Sequence, residues 1–464
     1  MAAIFLHQLR DNLQSLRFQI SLVILLLFFG ANGVIYTMKT GHLADEVTRI
    51  TRLNEERYGR VETTADAAST SYKIRCAEVG TEFMAEAGSD WFRYAMYVNP
   101  GSGEIPGFAS SRTTNRWMRR FEVVDWAVIV RYVLSFLCVV LAYNAVCGER
   151  ENGTLLLVLT NSLSRGRFLL AKVGAHLATL LAATLAGSLL SLLILVLGGV
   201  LEPDGEVWLS YAFFLLGTTV FITLFLLLST GISALARSSA SSLVLLVTAW
   251  TVLMVVIPQT SYLAAVTAVK SPRGIWQQID THEREVRMAL QREGVEPRPP
   301  ELARGDDFAL EKRYAQRIQE MEKGKDRIRL ESLDQEIRQF EVARSVNMLS
   351  PGFAFQYSLE ALLRNGIERF RSFTRQGWDY RETLREFLRG RDAADPDSPH
   401  VLFLSEYMSQ EKLDPRHIPR FEAVPLPLSE SLAAGVAPIL ILVLETALAF
   451  FFALWAFNRS EVAG

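Results

Sequence analysis

The sequence predicts an all-α membrane protein with six transmembrane helices, an N-terminal interfacial helix and two mainly helical extracytoplasmic insertions. Three observations predict it. Apolar runs of about 20 residues, enough at a rise of about 1.5 Å per residue to cross a hydrocarbon core, alternate with densely charged blocks. Half of the 464 residues are hydrophobic and the net charge is only −2, a balance that gives no case for nucleic-acid binding. Between the second and third runs lies a charged, Gly-containing step, Gly148 to Lys172, whose charges and irregular backbone keep it out of lipid.

Residues 1–16 place Ile4, Phe5, Leu9, Leu13 and Leu16 near one helical face, the pattern of an amphipathic helix lying in the membrane interface. A frayed leader is the other reading. The first span, 17–38, follows at once; it is long and no A-x-A-like site follows it, so it reads as a retained helix rather than a cleaved signal. Residues 39–122 form the first insertion, in which Leu43, Val47, Ile50 and Leu53 recur at helical spacing and carry the helix out of the membrane. GSGEIPG at 101–107 is turn chemistry, not a phosphate loop, since GxxxxGK[ST] occurs nowhere in the chain.

The second span, 123–147, leads into the loop 148–166. The third, 167–200, is rich in small residues (Ala178, Ala182, Ala183, Ala186, Gly187, Ser188) that let helices approach closely. After the turn Glu202-Pro203-Asp204-Gly205 come spans 210–230 and 241–261; the apolar run of the latter is expected to stop at Pro258. Residues 262–430 form the second insertion. Its broken rhythm (Leu310, Tyr314, Met321, Ile328, Leu333, Ile337, Phe340) amid dense charge reads as a solvated helix face. The segment from Ser350, SPGFAFQYSLEALLRNGIERFRSF, is amphipathic and is placed near the membrane surface; neither insertion shows a clear strand pattern. A Pro-rich return feeds the last span, 432–457.

Six crossings put both termini on one side. The loop 148–172 carries Arg150, Arg165, Arg167 and Lys172, and the next loop on that side carries Arg237, whereas the short loop 201–209 has only acids. The positive-inside rule makes the termini and the basic loops cytoplasmic and the insertions external. Arg112, Arg116, Arg119 and Arg120 oppose the trend from within a long loop, where the rule is weak.

No catalytic residue, cofactor or metal site is suggested. Cys76, Cys138 and Cys147 offer neither a disulfide framework nor CxxC spacing. His282-Glu283-Arg284-Glu285 is not HExxH and reads as an exposed helical histidine, and His176 lacks neighbouring ligand types. GxSxG is absent. Two ionisable residues fall inside apolar runs, Arg131 about 10 Å and Glu445 about 16 Å below the outer surface by rise per residue. They are candidates to pair across the bundle. Arg131 has snorkelling to the interface as its alternative; Glu445 either holds the sixth helix in place or lines a path.

GERENGTLLLVLTNSLSRGRFLLAK, closing the second helix and opening the third, resembles the permeases of type-2 ATP-binding-cassette (ABC) exporters, whose second helix runs into an E-x-E-x-GTL turn and whose third opens with R-x-x-x-x-K. Here these are Glu149, Glu151, Gly153, Thr154 and Leu155, then Arg167 and Lys172. The lead-in FEVVDWAVIVRYVLSFL (Phe121 to Leu137), the SPGF segment and the two insertions are similar to the branch found in gliding-motility and copper-site maturation operons. The resemblance implies a half-transporter in the bacterial inner membrane. Its loop, with Glu149, Arg150, Glu151, Asn152, Gly153, Thr154, Arg165, Arg167 and Lys172, would dock an ABC ATPase subunit in two copies, and a second copy or related permease would complete the assembly. Glu149 and Glu151 near a helix start also fit simple capping. Because so much of the chain is external, a second class remains open: an ATPase-coupled mechanotransmitter, or an envelope scaffold whose outer domain binds an extracytoplasmic partner. A membrane enzyme is the third class, supported by no motif.

Overall fold

The computed structural model describes residues 2–86, 95–101, 124–155, 164–270, 274–298 and 308–460, with side chains from Ile4 onward. Residues 102–107 of the Gly-rich turn, Arg112, Arg116, Arg119, Arg120, the lead-in residues 121–123 and the loop segment 156–163 lie outside the described residues.

Among the described residues the chain is mainly helical, and six helices are long and apolar enough to cross a membrane. Helix α1 (Ala2–Gln14) is separated by the N-cap Ser15 from α2 (Leu16–Gly59), a single helix of 44 residues. Next come α3 (Thr64–Ser69), β1 (Tyr72–Arg75), β2 (Ala95–Val98) and the second span, α4 (Trp126–Glu151). Helices α5 (Arg165–Leu197), α6 (Gly205–Leu235) and α7 (Ser239–Ala268) are the next three spans. Then follow α8 (Ile275–Glu293), α9 (Ala309–Asn347), α10 (Pro351–Leu362), α11 (Ile367–Ala394) and the last span, α12 (Leu428–Arg459).

Helix α6 is the hub of the bundle and packs on α4, α5, α10 and α12. Tight approaches fall where small residues remove side-chain bulk: a Cβ on Gly231 of α6 would lie 3.1 Å from the Ala453 Cα of α12, and one on Gly187 of α5 2.6 Å from the Phe29 ring of α2. Near the insertion end, Trp126 of α4 is fully buried among Phe29, Phe83, Tyr211 and Phe214, and its indole N–H donates to Asn32 Oδ1 at 2.9 Å.

Four readings of the sequence need correction. Pro258 does not end the fifth span: a π-helical stretch at Val252–Val256 precedes it, and the wider turn accommodates the missing N–H so that the helix runs on to Ala268. The first insertion contains strands after all, an antiparallel hairpin pairing Tyr72 with Val98 and Arg75 with Ala95. Its strands are four residues each, too short for their alternation to stand out from the surrounding loop. His282 is half-buried rather than exposed, because α8 and α9 cross at Gly324, where a Cβ would lie 2.1 Å from the imidazole Nε2. The SPGF helix α10 does not leave one side of its amphipathic pattern open but is buried on nearly every side, wedged among α4, α6, α7 and α12.

The two insertions pack into one body. Tyr58, Val61, Tyr72, Ile74 and Met96 of the first share a core with Phe373, Tyr380, Leu384 and Ile418 of the second. Backbone ties reinforce it: the Leu413 N–H donates to the Glu62 carbonyl at 2.9 Å and the Ala65 N–H to the Ser409 carbonyl at 3.1 Å. Buried Arg369 of α11 pairs with Glu82 at 3.0 Å.

Candidate coupling site at the helix ends

At the end of the bundle that carries both termini, α4 breaks at residues 143–146 and finishes in one turn, Cys147–Glu151. The break is anchored from α6, because Ser233 Oγ accepts the Val146 and Cys147 N–H groups at 3.1 and 3.2 Å. Gly153 follows at φ +71°, a left-handed exit that glycine adopts without strain. Beneath the turn, Val146, Leu155, Phe168, Ala234, Ala456 and Phe457 form a small apolar core, with Phe168 and Phe457 stacked at 5.6 Å.

Around this turn, successive charged residues reach different helices. Glu149 accepts from buried Lys172 of α5 at 2.5 Å and, through its other oxygen, from Thr154; Lys172 also donates to Gln8 of α1 at 2.6 Å. Arg150 turns to the C-terminus of α6 and donates to the Ala234 and Ala236 carbonyls at 2.8 and 3.0 Å. Glu151 faces the N-terminus of α7, accepting the Ser239 N–H at 2.8 Å and its hydroxyl at 2.5 Å. Arg165, at the start of α5, donates to the Phe457 and Asn458 carbonyls at the end of α12, at 2.8 and 2.7 Å. Each sign fits the helix end it meets: cations meet the carbonyls left open at C-termini and an anion meets the N–H groups left open at an N-terminus.

The structure therefore brings together Glu149, Arg150, Glu151, Thr154, Arg165 and Lys172, and it gives most of them partners inside the chain. Asn152 and Arg167 are exposed, as is the outer edge of Glu151. Not legible beforehand were the residues on the other elements that complete the site: Gln8, Ser233, Ser239 and Asn12, whose amide bridges His176 (3.1 Å) and Thr179 (3.2 Å) and so ties α1 to α5. Their one visible trait is a polar residue on an otherwise apolar helix face.

The two intramembrane charges do not pair with each other. Arg131 donates to Gln356 of α10 and to the Tyr132 hydroxyl at 3.1 Å, and its guanidinium lies 4.2 Å from the Phe353 ring centre. This is neither snorkelling nor a partnership with Glu445: a helix from the second insertion supplies the partner. Glu445 on α12 is half-buried, with Oε2 enclosed and without a hydrogen-bond partner among the described residues. Among the described residues no group of three or more His, Cys, Asp or Glu side chains is placed to hold a metal ion.

A family model described as "ABC-2 family transporter protein" matches residues 2–462. Two curated relatives named "Probable ABC transporter permease protein NosY" are similar to parts of the chain. The one from Pseudomonas aeruginosa is 33% identical over 104 residues, 22% of this chain and 33% of its own length. The one from Stutzerimonas stutzeri is 30% identical over 152 residues, 32% of this chain and 51% of its own length. The matches thus span between a third and about half of those relatives.

Proposed function

The chain belongs to the ABC-2 transporter family, and from that premise we propose that it is the membrane subunit of an ABC transporter, driven by a separate ATPase that docks at the end of α4. One observation carries the reading: the terminal turn of α4 is bonded to the ends of α5, α6 and α7 while Glu151, Asn152 and Gly153 remain exposed. A push on that exposed turn reaches every helix it is tied to, as rigid-body coupling requires. In this reading Asn152, Arg167 and the outer edge of Glu151 meet the ATPase; Glu149, Arg150, Arg165 and Lys172 transmit from behind. The face lies in the cytoplasm of a bacterial inner-membrane assembly of two membrane subunits over two ATPases. ATP is hydrolysed by the partner.

The test is co-purification with the ATPase encoded beside this chain. Asn152→Arg combined with Arg167→Glu should release the ATPase while leaving the melting temperature unchanged. Undiminished co-purification would remove the docking assignment.

A second reading, an ATPase-coupled mechanotransmitter or scaffold serving an extracytoplasmic partner, is favoured by α10. A helix of the outer body seated inside the bundle makes the two parts move together, which a simple pore does not need. Retained ATPase binding with no cargo movement in proteoliposomes would select it.

A further inference from the structure

Among the described residues, two of the six spans change to π geometry part-way along. In α4 the segment is Ile129–Leu134, closed by the Ser135 N–H, which reaches back to the Val130 carbonyl. In α7 it is Val252–Val256, closed by the Ile257 N–H on the Val252 carbonyl. A π turn holds one residue more than the α turn it replaces, so it carries slack, and such turns gather at functional sites. Pro258 calls for the segment in α7, but no proline stands in α4 to call for the other.

Both segments meet the start of α10. Arg131 of the first and Met254 of the second press on Gly352, and Arg131 also donates to Gln356 one turn further on. Helix α10 is itself fixed to the rest of the bundle. Phe355 stacks on Phe221 of α6 at 4.9 Å, and the Ser431 hydroxyl of α12 donates to the Ala361 carbonyl at 2.7 Å. On the side of the termini, α4 and α7 are fastened to each other. Trp250 Nε1 donates to Ser135 Oγ at 2.8 Å, and the Phe136 and Trp250 rings meet edge to face at 5.4 Å. Ser135 Oγ in turn donates to the Arg131 carbonyl at 2.5 Å, so the tie between the helices ends on the backbone of the first π segment.

A fixed helix, a fastened pair facing it, and slack at both points of contact make a hinge. We infer that Ile129–Leu134 and Val252–Val256 are one paired hinge. The two segments change hydrogen-bond register together, so that the joined parts of α4 and α7 on the side of the termini turn and slide against α10 without unseating it. The hinge fixes where the bundle yields, whatever drives it, and so stands apart from the ATPase reading.

The experiment is hydrogen–deuterium exchange of the full chain in nanodiscs, read by mass spectrometry. A change of register breaks backbone hydrogen bonds. Peptides covering 129–135 and 252–257 should therefore exchange about tenfold faster than 218–225 of α6, which carries the Phe221 contact to α10. Val255 is 39% exposed, and its deletion makes α7 one continuous α-helix with its faces unchanged. That deletion should slow exchange in both segments, the one in α4 included. Val255→Ala keeps the length and should exchange like the wild type. Pro258→Ala gives α7 back an N–H and should slow both segments as well; it carries the test where the shortened chain does not assemble. Protection of both segments equal to that of α6, or slowing of 252–257 alone, would overturn the proposal.

Discussion

Glu149 and Lys172, 23 residues apart in sequence, meet at 2.5 Å with only 8% of the lysine side chain exposed. Removing one partner strands a buried charge, and that costs more than the pair itself contributes. Glu149→Ala and Lys172→Met should each lower stability by about 2–3 kcal/mol, and the double variant carrying both should cost less than the sum. Thermal melts of the four proteins check it; additive losses would show that the two groups act independently.

Arg150 bonds two carbonyls with two nitrogens of one planar group. Lysine presents a single point of charge and cannot reproduce that fork. Arg150→Lys should therefore recover less than half of a loss of about 1–2 kcal/mol produced by Arg150→Ala. Full recovery in the same melts would mean that charge alone matters here.

Burial pushes the Glu360 carboxyl up to about 7, against the pull of the hydrogen bond from Gln356, which donates to it at 2.7 Å. The folded chain keeps a proton that the unfolded chain releases near the ordinary value of 4.5. This stabilisation is complete below that value, declines as pH rises, and is gone above about 7. Glu360→Gln should flatten the slope of melting temperature between those limits, with parallel wild-type and variant profiles as the contrary result.

Gly352, near the start of α10, leaves room for Arg131 and Met254: a Cβ there would lie 2.6 Å from the Arg131 Cγ and 2.4 Å from the Met254 Cε. Gly352→Ala should cost about 1–3 kcal/mol by overpacking, although alanine is the better helix former. Stabilisation of the variant would show that α10 is not held tightly in its seat.

The spans, the charged step and its exit glycine were legible because each rests on a local pattern, apolar length or turn chemistry. What the charges do was not. Arg131 finds Gln356 at a separation of 225 residues, and Arg165 reaches Asn458 at 293. No periodicity encodes such distant meetings. Helix α10 misled for a related reason. Gln356 and Glu360 give it a polar side, but that side faces Arg131 and a buried network rather than water, and amphipathic patterning cannot tell the two apart. Pro258 misled because the π turn that absorbs it leaves no residue signature.

Helix α2 runs without a break from its cap at Ser15, at the end of the bundle that carries both termini, to Gly59 in the body formed by the two insertions. Its 44 residues measure about 66 Å end to end. Pivoted at its lower end, a rod of that length tilting by about 5° carries its far tip through about 6 Å. A displacement too small to disturb side-chain packing at the base therefore becomes, at Tyr58 and Tyr380, a stroke wider than a strand spacing.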